Sequence, residues 1–127
     1  MSIHTLPQEC WTVPEAELHE LSPAHARDLI VECFFQAQHE TFLRAKQRVS
    51  SRPAAPDAIH AAVVAAVRVA FKESGGDYDH PSSASLARMV DVLARKAQSW
   101  GTPDDVVTHH RGQIGRVLGA LSLQHAP

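Results

Sequence analysis

Apolar residues recur along this chain at steps of three and four, not two, and the steps break where proline, glycine and serine gather. Leu86, Met89, Val90, Leu93, Ala97 and Trp100 form one narrow stripe on a helical wheel, the mark of a helix that buries a single face. Ile59, Val63, Val64, Val67, Val69 and Phe71, with alanines between them, spread around most of a second helix, and the pattern places that helix at the centre of the molecule. Val31, Phe34, Phe35, Phe42, Ala45 and Val49 share one side of another helix, with Glu32, His39 and Lys46 turned elsewhere. On a last helix Val106, Val107, His110, Ile114, Val117, Leu118 and Leu121 lie together.

The breaks supply the boundaries. Ser22 and Pro23 give a cap followed by proline at the first helical position, and helical composition then runs to about Ser50. SRPAAP at 51–56 interrupts it, and the next helix starts at Pro56 or Asp57 and ends at Glu73 before Gly75 and Gly76. A further helix starts near Pro81 to Ser83 and ends at Trp100 before Gly101. Thr102, Pro103 and Asp105 open the last one, with Asp105 where a capping-box acid would sit. No stretch alternates long enough for a strand. The expected fold is all-α: a compact bundle of four main helices forming a single domain over residues 22–127. An N-terminal arm over residues 1–21, with room for one short extra helix, precedes it.

Helix lengths are mismatched. The first would span about 28 residues, or ~42 Å, against ~25 to 30 Å for the others. Its distal part carries Phe42, Ala45 and Val49, apolar surface that favours association unless Trp11, Val13, Leu18 and Leu21 of the arm fold across the bundle and cover what is open. A closed homodimer is the expected assembly.

Composition narrows the function classes. The chain has 127 residues, 44% hydrophobic and 20% charged, enough to bury a core without disulfide or metal staples. A formal net charge of -2 offers no field for a polyanion, so nucleic acid is not an expected partner. The longest apolar run, IHAAVVAAVRVAF, is too short for a membrane span and contains His60 and Arg68. The first 21 residues lack the basic and apolar regions of a secretory signal, which points to the cytoplasm and to reduced thiols at Cys10 and Cys33.

Three stretches hold candidate chemistry. The last helix carries Gly112, Gly115 and Gly119, each costing about 1 kcal/mol against alanine. All three gather opposite the apolar face. They read as a groove for a second helix or a second copy, in which Gly115→Ala would clash, or else as an irregular helix that ends early. His110 stands among valines on the core side, as a satisfied core residue or as a buried base or ligand, whereas His109 lies on the solvated flank. GGDYDHPSS at 75–83 places Asp77, Asp79 and His80 together, as a turn and helix cap or as cation ligands. ECFFQAQHE at 32–40 brings Glu32, Gln36, His39 and Glu40 to neighbouring turns. They point away from the phenylalanines, so a solvated face with a Glu40–Arg44 pair is favoured; Asp91 and Arg95 repeat that spacing.

No GxGxxG, P-loop, GxSxG or HExxH occurs, so no catalytic residue, metal ligand set or cofactor is assigned, and the balance leans away from an enzyme. Two functions remain. The favoured one is a self-associating interaction or regulatory module using Phe42, Val49 and the Gly112, Gly115 and Gly119 face. The alternative is a helical binder of metal or a small molecule, catalytic or not, centred on His110 with Asp77, Asp79 or His80. A pocket joining His110 to a second titratable side chain would favour the alternative.

Overall fold

Residues 11–48 and 55–124 are described in a computed structural model, with side chains at all of them except 45–48. Four helices carry the fold: α1 (Pro23–Arg48), α2 (Pro56–Glu73), α3 (Ser83–Ala97) and α4 (Asp104–Gln124). No strand occurs among the described residues.

Local chemistry explains most of the ends. Ser22 Oγ accepts the His25 backbone N–H at 3.1 Å, and Pro23 occupies the first turn, where its missing N–H is not needed. α2 also starts on proline. It ends where Gly75 turns to φ +84, letting the Gly76 and Gly75 N–H groups return to the Phe71 and Lys72 carbonyls at 2.8 and 3.2 Å. A methyl group at Gly76 would meet Ser85 Cβ at 3.0 Å, so this turn also needs the missing side chain for close packing. Ser82 and Ser85 cap α3 reciprocally, at 3.1 and 2.8 Å. The chain leaves α3 through a single 3-10 turn, Gln98–Trp100, and reverses at Gly101 with φ +76.

The start of α4 differs from the capping box its sequence suggests. Thr102 Oγ1 instead accepts from Gln38 Nε2 at 3.2 Å, and Asp105 receives a two-pronged contact from Arg44 at 2.9 and 2.8 Å. Both side chains are therefore turned to α1. α4 then runs unbroken through Gly112, Gly115 and Gly119, which removes the reading of an irregular or shortened helix.

In the packing, α1 touches every other helix, and Leu29, Ile30, Val31, Cys33, Phe34 and Ala37 are buried along it. α2, expected at the centre, is peripheral. It packs on α1 and α3 through Ile59, Val63, Val67, Ala70 and Phe71, while Ala58, Ala61, Ala62, Ala65 and Val69 face solvent. Alanine explains the difference, because it counts as apolar in a pattern yet has little side-chain area whose burial would stabilise. α1 and α4 lie antiparallel: Arg44 meets Asp105 at one end, and the Leu21 N–H meets Gln124 Oε1 at the other.

The arm crosses α4 as one expected alternative required. Val13 and Leu21 are buried, and the segment between them forms a short 3-10 helix, Glu15–Leu18. Gln113 Oε1 accepts the Val13 N–H at 2.8 Å, and Arg116 donates to the Val13 carbonyl at 2.9 Å and to Glu15 at 3.0 Å. No described helix is long and apolar enough to cross a membrane.

Candidate functional site

α4 places His110 between Val106 and Ile114 on its buried face, one turn from each, and the side chain is 4% exposed. It lines a partly open cavity of about 130 Å³ bordered by α1, α3, the turn after α3, and α4. Phe34 and Ala37 of α1, Val90, Ala94 and Ala97 of α3, and Ile114 of α4 form its apolar wall. Trp100 closes one side, edge-on to Phe34 with ring centroids 6.4 Å apart. The remaining lining is Val107 and a set of polar groups: Gln38, Gln98, Thr102, the Cys33 thiol and exposed Arg111.

His110 is unusual within this wall. Its Nδ1 is the one buried side-chain nitrogen or oxygen without a hydrogen-bond partner among the described residues. Buried polar groups are ordinarily paired, so such an orphan marks either lost stability or a group held for something else. Burial, with the His109 ring second, pushes the His110 pKa down to about 4, which keeps the imidazole neutral at physiological pH. Burial also pushes the Cys33 thiol up to about 12, and the adjacent Glu32 carboxylate adds to the effect. The thiol is neutral too, which makes it a poor nucleophile and a poor metal ligand.

His109, expected in solvent, does a different job. Its Nε2 donates to the Trp11 carbonyl at 2.8 Å, tying the arm to α4.

The other sequence candidates are not gathered here. Asp77, Asp79 and His80 are exposed, and none of them lines the His110 cavity. Their loop is anchored near the start of α1. Tyr78 packs edge-on to Phe71, with the Arg27 and Arg68 guanidinium groups 4.6 and 4.0 Å from its ring centre, and Arg27 also donates to the Tyr78 carbonyl at 2.6 Å. The Asp79 N–H returns to Asp77 Oδ1 at 3.1 Å, an ordinary Asx turn. Among the described residues no three His, Cys, Asp or Glu side chains are grouped to hold a metal ion.

Glu32 and Gln36 pair with each other at 2.6 Å, and the Glu40–Arg44 and Asp91–Arg95 pairs form as spaced, at 3.0 and 2.6 Å. Phe42 is exposed, whereas Val49 lies outside the described residues. Gly112, Gly115 and Gly119 are exposed, and a methyl group on any of them would meet nothing within 4 Å. The cavity residues that sequence reasoning missed are Cys33, Gln38, Trp100 and Arg111. Cys33, Gln38 and Trp100 are separated from His110 along the chain, which left no local signal that could have joined them to it, and Arg111, its immediate neighbour, reads as a solvated charge on the helix. No protein family, curated protein or solved structure matches the chain.

Proposed function

We propose that this protein binds a small molecule with a ring-sized apolar body in the cavity beside His110. The observation that carries the reading is the unpartnered, buried His110 nitrogen in the wall of an apolar cavity. A well-packed core histidine would have found a carbonyl or carboxylate, and a purely structural core would favour leucine at this position. The volume is of the right order, since an engineered cavity of about 150 Å³ in another protein accepts benzene. Neutral His110 and Cys33 leave the interior without a fixed charge to desolvate when an apolar group enters.

Titration with toluene tests this. The His110 ring resonances should shift saturably, and the melting temperature should rise with the logarithm of ligand concentration. Unmoved His110 resonances at millimolar toluene, and equally at millimolar benzoate, would overturn the proposal.

Self-association is a second reading, favoured by one surface. Phe42 and Leu43 are exposed at 37% and 42% on the distal part of α1. Phe42 borders an open groove of about 490 Å³ with Ala58, Ala62, Ala66 and Trp100. The Gly112, Gly115 and Gly119 face of α4 is a second open surface that a copy of the chain could cover. Light scattering at micromolar concentration should give a dimer mass; a monomer mass at high concentration would sink this reading.

A further inference from the structure

The polar edge of the cavity carries more information than its volume. Since Nδ1 of His110 is buried without a partner, the neutral ring has two choices. It can leave an N–H orphaned there or only a lone pair. Orphaned buried N–H groups are the rarer of the two in proteins. The proton therefore sits on Nε2, which is not closed off in the same way, and the ring offers a donor.

Arg111, the next residue on α4, lines the same cavity and is exposed. Among the described residues its guanidinium has no hydrogen-bond or ion-pair partner. Arg27, Arg44, Arg68, Arg88, Arg95 and Arg116 all have one. The cavity lining contains no aspartate and no glutamate. A cationic ligand would find nothing to pair with there. An anion would meet one free arginine, a histidine N–H and the amides of Gln38 and Gln98.

Resting on the small-molecule reading above, we infer that the ligand is a monocarboxylic acid with a ring-sized apolar body. Its carboxylate lies toward Arg111 and His110, and its body lies against Phe34, Ala37 and Ile114. A single arginine matches a single negative charge, and its planar fork suits a carboxylate. The cavity volume admits a ring or a short branched chain, whereas a long acyl chain would exceed it.

The test uses the full chain at neutral pH with benzoate, toluene, benzylamine and dodecanoate, followed by calorimetry and by the His110 ring resonances. Benzoate should bind more tightly than toluene, and benzylamine and dodecanoate should leave the His110 signals in place. Arg111→Gln, at an exposed position, should weaken benzoate by at least about tenfold while leaving toluene within about twofold. The benzoate preference should also shrink as salt is raised, because the arginine is solvent-exposed. Equal binding of benzoate and toluene, or benzoate binding indifferent to Arg111→Gln, would overturn the carboxylate assignment and leave the apolar-ligand reading standing. Saturable binding of dodecanoate in the cavity would replace the compact body with an acyl chain and overturn the size assignment. Failure of both toluene and benzoate would remove the small-molecule reading itself.

Discussion

Replacing His110 by leucine should make this protein more stable and less sensitive to acid. In the wild type a ring nitrogen is buried without a partner, a loss of roughly 1–3 kcal/mol relative to a satisfied group. Leucine fills a comparable space, leaves no polar atom unpaired, and forgoes only an edge contact with His109 at 4.8 Å. Near neutral pH the variant should gain about 1–2 kcal/mol, or very roughly 4 °C per kcal/mol for a domain of this size. The gain should grow on acidification. The folded pKa of about 4 lies below the unfolded value near 6.5, so protons favour the unfolded chain. The wild type therefore loses stability as pH falls from about 6.5 toward about 4. Between about pH 7.5 and pH 5 this group alone should remove about 2 kcal/mol. His109, Arg111 and Cys33 are the titratable or charged neighbours of the ring, and all three remain in the variant. Urea unfolding at the two pH values, followed by circular dichroism with unchanged slope m, measures both differences. A variant less stable than wild type near pH 7.5, or one with the same loss between the two pH values, would refute the reasoning. If the variant is more stable and also binds benzoate more weakly, the residue has been held at the expense of stability, as expected at a binding site.

Gly115→Ala meets open space within the chain, so it should raise stability by up to about 1 kcal/mol. A lower melting temperature together with a smaller mass in light scattering would instead place a second molecule on that face. Gln113→Ala leaves the buried Val13 N–H without its acceptor and should lower stability by about 1–3 kcal/mol, with faster amide exchange along the arm. Unchanged exchange there would show that the arm is held without Gln113. In a Cys10→Ser background, Cys33 is fully buried with its thiol pushed up to about 12, and it should resist a disulfide reagent until the protein is unfolded. Rapid labelling of the native protein would mean that the cavity opens readily to solvent.

The sequence by itself determined the elements, because helix boundaries depend on residues within a turn of one another. Ser22 before Pro23, Pro56 at the head of α2, and Gly75 with Gly76 at its end act through backbone dihedrals and hydrogen bonds to neighbours three to five positions away. The wheel placed His110 on the buried face of α4 for the same reason, since helical geometry alone sets which side chains share a side. Tertiary structure decided everything that compares one helix with another. It put α1 at the centre and α2 at the edge, because exposed alanines carry an apolar label with little area to bury. It turned Asp105 toward Arg44 and His109 toward Trp11, contacts 61 and 98 positions apart that compete with the local cap and with solvent. It also brought Cys33, Gln38 and Trp100 around His110 while holding Asp77, Asp79 and His80 at another loop. The partnerless nitrogen could not be read from the chain either. Whether a buried group is satisfied depends on which distant atoms packing leaves within about 3 Å of it.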